Sequence, residues 1–286
     1  MCISGDISVA TSFSIIVSVL NSAYTIHRCI NSVVKQSYPN KELIIIDGGS
    51  TDGTVEILQA NDGVIDFWES KKDFGIYNAW NKALDYANGE WLYFLGADDY
   101  LFSLDTLESV AHELTKLPPE CKLAYGRVCI VNKDGKIIFE KGEPWENFIN
   151  RSSYSMVIPH QGVFHNRNLF EEYGRFDEYF QIAGDADFLF RILKNNEPHF
   201  FSGLTIAVTE YYGKSNDPKN KLMRLQEFLI ARRNNGFSPV TFHLIIEYIW
   251  ALLLGFLYKT IGRKGIRKIV EIYCNLTNQP PYWEKY

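Results

Sequence analysis

Two short apolar runs separated by a segment with helical periodicity constrain the fold of this chain more than any other feature. Residues 14–20 (SIIVSVL) and 42–46 (ELIII) are rich in β-branched side chains, as is typical of strands buried on both faces. Between the two runs, apolar side chains recur at helical spacing at Ile26, Cys29, Ile30, Val33 and Val34. The order strand, helix, strand predicts a β-α-β unit with parallel strands.

The same alternation continues along the first third of the chain. A polar turn at 47–53 (DGGSTDG) precedes a short helix at 54–59, and a third strand is predicted at 64–68. A helix near 75–88 and a strand at 91–95 follow. This pattern predicts an α/β fold with a doubly wound, mostly parallel sheet, in which ligands bind beyond the carboxyl ends of the strands.

The pattern becomes less regular after a predicted helix at 103–117. Residues 123–131 and 136–140 flank a Lys-Asp-Gly turn and predict a hairpin. Residues 141–160 have little periodicity, which predicts a long loop suited to acceptor recognition, and residues 184–187 (GDAD) open a further helix. The length of 286 residues suits one large α/β domain with an appendage or two small domains, and composition leaves both open.

Carboxylates stand at two of the predicted strand ends. Asp47 follows the second strand, and the pair Asp98 and Asp99 follows the strand at 91–95. Adjacent carboxylates repel each other, and at the end of a buried strand a bound cation offsets that repulsion most simply. The pair therefore predicts a cation site. For Asp47 and Asp52, capping of the turn is an alternative function.

Composition and charge exclude several classes of protein. A formal charge of -5 argues against nucleic-acid binding, which needs a basic surface. The five cysteines are scattered without a CxxC pair, so they predict neither a zinc site nor a disulfide framework and favour a reducing cytosol. The apolar N-terminus lacks a basic region and contains Asp6, so no export signal is predicted. We expect a cytoplasmic protein.

The segment at 242–258 is nearly all apolar, although it contains His243 and Glu247. It is short for a membrane span of about 20 residues. Five basic residues follow it: Lys259, Arg263, Lys264, Arg267 and Lys268. An apolar helix next to a basic cluster is typical of an anchor at the membrane interface, and a helix packed on the protein core is an equal alternative.

Four segments in order resemble one known family. They are SIIVSVLNSAYTIHRCINSVVKQSYPNKELIIIDGGSTDGT, DFGIYNAWNKALDYANGEWLYFLGADD, PHQGVFHNRNLFEEYGRFDE and IAGDADFLFRIL. Together they resemble the family 2 inverting glycosyltransferases of GT-A fold, in particular the bacterial branch that builds surface polysaccharides such as colanic acid and O-antigen. The resemblance covers roughly residues 13–195. It implies a GT-A domain at 1–215, with a nucleotide-sugar half at 13–118 and an acceptor half at 119–215, followed by a helical extension at 216–286.

The resemblance also implies roles for individual residues. Asp99 matches the ligand of a divalent cation, Mg²⁺ or Mn²⁺, and Asp185 matches the catalytic base, for which ordinary helix capping is the alternative. Donor contacts are implied for Asn21, Asp47, Asp73 and Asp98, and sugar or acceptor contacts for His160, Gln161 and Asp187. In the polar stretch 211–221, Lys214 and Ser215 are candidates to bind the donor diphosphate, and the polarity of a surface loop is the alternative. Where the family often has a second Asp after Asp47, this chain has Gly48. A third metal ligand has no counterpart here, since Glu210, Tyr211 and Tyr212 stand in its region.

The function that the resemblance implies is inverting transfer of a sugar from a UDP-linked donor. The acceptor would be a saccharide, free or carried on a polyprenyl diphosphate, which would keep the enzyme at the inner face of the cytoplasmic membrane. Two alternatives come from other classes. A nicotinamide oxidoreductase should have GxGxxG after its first strand, where this chain has LNSA. A relative without activity should lack the acids, whereas Asp98, Asp99 and Asp185 are all present.

Overall fold

A computed structural model describes residues 11–132, 134–150, 158–210 and 220–237, together with single positions between 245 and 272. The strands are β1 (Phe13–Val19), β2 (Lys41–Asp47), β3 (Phe67–Ser70), β4 (Trp91–Gly96), β5 (Tyr100–Leu101), β6 (Leu123–Val131), β7 (Ile137–Lys141), β8 (Val163–Asn166) and β9 (His199–Glu210). The helices are α1 (Ile26–Val34), α2 (Thr54–Ala60), α3 (Ile76–Ala83), α4 (Thr106–Leu114), α5 (Trp145–Asn150), α6 (Asn168–Tyr173), α7 (Gly184–Leu193) and α8 (Lys221–Asn234).

All nine of these strands belong to one sheet. The strand order is β3-β2-β1-β4-β8-β6-β9-β5. The ninth strand, β7, pairs with β6 and is not part of this linear order. The first four strands are parallel, and β8 joins them antiparallel to β4. Asp47 at the end of β2 lies opposite Val19, and Gly96 at the end of β4 lies opposite Ser18. The two carboxylate-bearing turns therefore begin at the same edge of the sheet.

Helices cover both faces of the sheet. Side chains of α1, α2 and α4 pack with inward residues of β1 such as Ile15 in one core. Side chains of α3, α6 and α7 pack with Ile16 and the opposite face of β2 and β4 in a second core. Because neighbouring residues of β1 enter different cores, the strand is apolar at nearly every position. The predicted α/β, doubly wound fold class is confirmed.

Two elements have boundaries that differ from the predicted ones. The strand expected at 64–68 begins only at Phe67, because Asp62–Val64 forms a 3₁₀ turn. The helix expected to reach residue 88 ends at Ala83. Beyond it, the N–H groups of Asn88 and Gly89 donate to the Glu42 carboxylate, and a Cβ at Gly89 would lie 2.4 Å from the Ser14 nitrogen. Tertiary hydrogen bonds and close approach to β1 thus end the helix.

The loop expected at 141–160 is only partly a loop. It contains α5 and the start of a 3₁₀ turn, His160–Gly162, while residues 151–157 lie outside the described part. Three short or paired elements were not predicted: β5, β8 and α6. The twelve-residue strand β9 was also missed, although it joins the sheet beside β6.

The C-terminal extension packs on the rest of the protein through α8. Phe228 of α8 lies 5.5 Å from Phe190 of α7, measured between ring centroids, and Ala231 is buried in the second core. Beyond α8, the described positions between 245 and 272 are helical, and Tyr248 packs against the Leu225 cluster of α8. Among the helices in the described residues, none combines the length and apolar character needed to cross a bilayer.

Candidate active site

The turn at 96–99 places two carboxylates over a glycine. The Asp99 N–H donates to the Gly96 carbonyl at 3.0 Å, which closes the turn directly after β4. A Cβ at residue 96 would lie 2.6 Å from Asp99 Oδ2 and 2.9 Å from Asp98 Oδ1. Both carboxylates therefore fold back over the end of the strand, and only glycine leaves room for them.

Asp99 is a buried acid with an incomplete set of partners. Its side chain is 3% exposed, and within the described residues Oδ1 has no hydrogen-bond partner. Burial, followed by the neighbouring Asp98 charge, raises the pKa of Asp99 from 3.8 to about 8, against a smaller opposing effect of a Thr209 hydrogen bond. The protein thus compensates the charge of an ionised Asp99 only in part, which is the electrostatic condition that a cation would satisfy.

The environment of Asp98 is more mixed. Burial and the Glu210 carboxylate raise the pKa of Asp98, and Arg28 opposes that shift. The Arg28 guanidinium donates to the Asp98 carbonyl and to Glu210 Oε1, each at 2.9 Å, and lies 4.4 Å from the centre of the Tyr100 ring. Glu210, at the end of β9, is thereby tied to an arginine beside the acid pair.

The residues at this turn fit a divalent cation. Carboxylate oxygens are the ligands that Mg²⁺ and Mn²⁺ prefer, and Asp99 offers a buried oxygen that accepts no hydrogen bond from a described residue. In the described part of the chain, no three His, Cys, Asp or Glu side chains are grouped to enclose a metal. Such an ion would need oxygens from a ligand or from water to complete its coordination.

Asp47 is surrounded by donors from its own turn. It is fully buried, and its Oδ2 accepts from the N–H groups of Gly49 and Ser50 and from the Ser70 hydroxyl, at 3.0, 2.9 and 2.6 Å. Its Oδ1 accepts from the Ser50 hydroxyl. These contacts bear out the turn-capping alternative, and they leave little of the carboxylate for the donor contact expected from the sequence.

Asn21 joins this turn to the end of β1. It adopts a left-handed φ of 50°, its Oδ1 accepts from the Thr51 N–H at 2.9 Å, and its own N–H donates to the Ser50 hydroxyl. Asp52 accepts from the Ala23 N–H at 3.0 Å and from Thr54. Asn21 therefore shapes the rim of the site through its backbone contacts.

Asp73 takes the space above Gly48. A Cβ at residue 48 would lie 2.8 Å from Asp73 Oδ2, so a second Asp in the turn would collide with this carboxylate. Asp73 Oδ1 accepts from the Gly75 N–H at 3.0 Å, and the side chain is half-buried. Asp73 follows β3 and, unlike the saturated Asp47, retains exposure, as Asp52 of the neighbouring turn also does.

Asp185 lies in the first turn of α7, next to α3. Its Oδ1 accepts from the Tyr77 hydroxyl at 3.2 Å and from the Ala186 N–H at 2.9 Å. A Cβ at Gly184 would lie 2.8 Å from the Tyr77 ring, so glycine at 184 permits this contact. Sequence reasoning missed Tyr77, because the packing of α3 against α7 leaves no mark in either segment.

His160 belongs to an aromatic cluster near Asp185. Its ring stacks on Trp80 with 5.0 Å between centroids, and burial lowers its pKa against the opposing Asp185 charge. Among the described residues, neither His160 Nε2 nor Trp80 Nε1 has a hydrogen-bond partner. Gln161 contributes its carbonyl, which accepts from the Tyr93 hydroxyl at 2.6 Å. The cluster thus links β4, α3 and the helix that carries Asp185.

Asp187 does not fit the sugar or acceptor role expected from the sequence. It is 5% exposed, its Oδ2 accepts from Arg191 Nε at 3.0 Å, and its Oδ1 accepts from Asn235 Nδ2 at 2.9 Å. With both oxygens paired inside the protein, it fastens α7 to α8. The remaining two predicted donor contacts, Lys214 and Ser215, lie outside the described residues.

The fold and the site together define a glycosyltransferase of GT-A fold. The chain belongs to Glycosyl transferase family 2, whose sequence profile matches residues 14–164. It is 33% identical over 212 residues to PGL/p-HBAD biosynthesis glycosyltransferases of Mycobacterium bovis and Mycobacterium tuberculosis, covering 72% of this chain and 80% of the relative. Family membership excludes the nicotinamide oxidoreductase alternative.

Solved structures share the fold at low sequence identity. Staphylococcus aureus TarS 1-349 in complex with UDP-GlcNAc superimposes with a TM-score of 0.61 and 21% identity, over 85% of this chain and 80% of that one. The mannosyltransferase PcManGT from Pyrobaculum calidifontis, in complex with GDP-Man and Mn²⁺, gives a TM-score of 0.61 and 18% identity, over 96% and 83% of the two chains. These similarities establish the fold.

Proposed function

We propose that this glycosyltransferase moves a sugar from a UDP-linked donor to a saccharide acceptor with inversion at the anomeric carbon. The observation that carries the proposal is the buried Asp99 carboxylate, whose Oδ1 has no partner among the described residues, beside a second acid at Asp98. A site of this kind suits a cation bound to a diphosphate. Asp185, on a separate helix, supplies an acid of different function.

Asp185 acts as the general base in this proposal. Its carboxylate accepts the proton of the acceptor hydroxyl as that oxygen attacks the anomeric carbon. The new bond from oxygen to carbon forms while the bond from carbon to the diphosphate oxygen breaks, and the electron pair leaves with the nucleoside diphosphate. One displacement at one centre inverts the configuration, and no covalent intermediate with the protein is needed.

The departing diphosphate gains negative charge, and Asp98 and Asp99 are the residues that would hold a divalent cation against it. When bound, the ion acts as a Lewis acid that stabilises this charge. In this proposal, Asp73 and the rim formed by Asn21 contact the nucleoside. His160 and Trp80 offer buried nitrogens, without partners in the described part of the chain, for hydroxyl groups of a sugar.

The donor and the biological setting rest on weaker support. The mycobacterial relatives carry a biosynthetic name, which supports a role in building a glycan. The solved neighbours hold UDP-GlcNAc in one case and GDP-Man in the other. A panel of UDP-, GDP- and dTDP-sugars, with and without Mn²⁺, should therefore include both nucleotides, and protection against thermal unfolding identifies the donor because a ligand of the native state raises its stability.

The proposal is tested by Asp185→Asn. We expect turnover to fall about 10²-fold or more while donor affinity is retained, since the change removes proton transfer and not the donor site. Asp177→Asn is the matched control, because Asp177 is an exposed carboxylate in the loop that leads into α7. Unchanged turnover in Asp185→Asn, or loss of donor binding with turnover intact at saturation, would contradict the assignment.

We also propose that the C-terminal extension holds the enzyme at an anionic membrane surface, where a polyprenyl-diphosphate-linked acceptor would be found. Six described apolar side chains are exposed: Ile245, Ile246, Ile249, Leu252, Leu253 and Phe256. At 100° per residue they span about 120° of a helix. Tyr248, which packs on α8, lies at the edge of this arc, about 40° beyond Leu252. The five basic residues between 259 and 268 would face lipid head groups.

Flotation with liposomes tests this membrane contact. Full-length protein should float with vesicles containing anionic lipid and less with neutral vesicles, because both apolar insertion and charge contribute to binding. Replacing Ile249, Leu253 and Phe256 by Ser should abolish flotation without changing donor binding. Equal flotation of that variant and the wild type would remove the anchor and leave the face for another partner.

A further inference from the structure

The carboxylate of Glu227, on the C-terminal helix α8, accepts hydrogen bonds from the backbone just before the proposed base, Asp185. Glu227 is 7% exposed. Its Oε1 accepts from the Gln181 N–H at 2.9 Å, and its Oε2 accepts from the N–H groups of Ile182 and Ala183 at 2.8 and 3.0 Å. Three consecutive backbone donors therefore converge on one buried side chain.

The residues that Glu227 binds lead directly into the first turn of α7. Ala183 is the N-cap residue of α7, and it offers no side-chain cap of its own. Asp185 follows two residues later. A carboxylate at this end of the helix also lies at the positive end of the helix dipole. The position of the Asp185 side chain is thus fixed by contacts that begin on α8.

The same connection is fastened at its other end by α3. The Asn81 side chain accepts from the Phe176 N–H at 3.0 Å and donates to the Phe176 carbonyl at 2.9 Å. The segment 176–183 is therefore held at both ends, and Tyr77 of α3 contacts Asp185 itself. The Glu227 contacts, directly before Asp185, come from α8, outside the nucleotide-binding half of the fold.

Resting on the proposed role of Asp185, we infer that Glu227 is a positioning residue for the catalytic base. The C-terminal extension then contributes to turnover as well as to any membrane contact. Glu227 lies beyond the matched family profile, which ends at residue 164. A displacement of about 1 Å at a reacting group can cost 10²-fold in rate, so small movements of this backbone matter.

Glu227→Ala and Glu227→Gln test the inference. We expect Glu227→Ala to lower kcat about 10- to 100-fold with donor affinity changed less than about twofold, because the base moves while the donor site does not. Glu227→Gln should lie between Glu227→Ala and the wild type, since one amide oxygen still accepts. Leu225→Ala is the control: it removes a buried side chain of the same helix, lowers the melting temperature, and should keep kcat.

A double-mutant cycle separates positioning from a purely structural effect. In the Asp185→Asn background, Glu227→Ala should leave the residual rate unchanged, because no base remains to be positioned. The inference would be overturned if Glu227→Ala lowered kcat in the Asp185→Asn background by the same factor as in the wild type. Wild-type kcat in both Glu227→Ala and Glu227→Gln would also overturn it. Should Asp185→Asn itself keep full turnover, the proposed base would fail, and that result does not depend on Glu227. If Glu227→Ala does not fold, Glu227→Gln alone decides through its kcat.

Discussion

Two turns at the same edge of the sheet place aspartates in buried positions, and the two carboxylates differ in how fully the protein supplies them with hydrogen bonds. In the turn after β2, Asp47 receives hydrogen bonds on both oxygens from Gly49, Ser50 and Ser70. In the turn after β4, Asp99 is almost as deeply buried, yet one oxygen has no partner among the described residues. The first carboxylate is satisfied by the protein and the second is not.

The difference shows how a structural acid can be told from a ligand-binding acid at equal depth. A buried charge is costly unless it is paired and hydrogen-bonded, so a satisfied carboxylate stabilises the fold. An unsatisfied one costs stability in the free protein and gains it when a ligand binds. The raised pKa of Asp99, caused by burial and by Asp98, expresses the same cost.

The largest expected effect is on transfer. Asp99→Asn should lower kcat/KM about 10³-fold or more, since it removes a ligand of an ion that contributes several kcal/mol to transition-state stabilisation. The measurement is donor hydrolysis and transfer with the donor found in the nucleotide-sugar panel, with Mn²⁺ and with chelator. If Asp99→Asn kept wild-type rates, the contrast between Asp47 and Asp99 would not separate a structural acid from a ligand-binding acid, because Asp99 would then not be needed to bind the cation.

Asp47→Ala tests the other side of the comparison. We expect it to lower the free energy of unfolding by about 3 kcal/mol, because several donors lose a buried charged acceptor. Asp52→Ala is the control from the same turn, and the loss of its exposed cap should lower the free energy of unfolding much less than the loss of the buried Asp47. Denaturant unfolding measures both. An Asp47→Ala protein with normal stability and lost donor binding would instead make Asp47 a nucleotide contact.

The smallest expected effect is on how the stability of the metal-free protein depends on pH. Burial and Asp98 raise the pKa of Asp99 from 3.8 to about 8, so between these values the native state holds a proton that the unfolded chain has released. Through this group, the stability of metal-free protein falls as pH rises from about 4 to about 8. Asp99→Asn removes that loss. Its melting temperature in chelator should exceed the wild-type value at pH 8 and approach it near pH 4; a constant difference would exclude the shift.

The first half of the fold was predictable because its signal is local. Residues of β1 enter cores on both faces, so the strand is mostly apolar, and α1 begins and ends where the helical spacing predicts. The partner of the long strand β9 was not predictable, because β9 pairs in parallel with β6, 75 to 79 positions earlier in the chain. No feature of the 199–210 segment indicates which strand it joins.

The same distinction holds at the site. The pair Asp98–Asp99 was found from the repulsion of adjacent carboxylates at a strand end, a local property of the sequence. The pairing of Asp187 with Asn235 was missed, because it joins residues 48 positions apart on separate helices. Glu227 was not singled out from the sequence, because the three backbone donors that bind it lie 44 to 46 positions earlier in the chain.

The most direct test of the account is binding of Mn²⁺ itself, followed by electron paramagnetic resonance of the free ion in the presence of UDP or GDP. Wild-type protein should remove free Mn²⁺ from solution together with one of the nucleotides. Asp99→Asn, folded and with its melting temperature preserved, should leave the ion free. Equal Mn²⁺ binding by wild type and Asp99→Asn would contradict the assignment of the unsatisfied acid to the metal and diphosphate site.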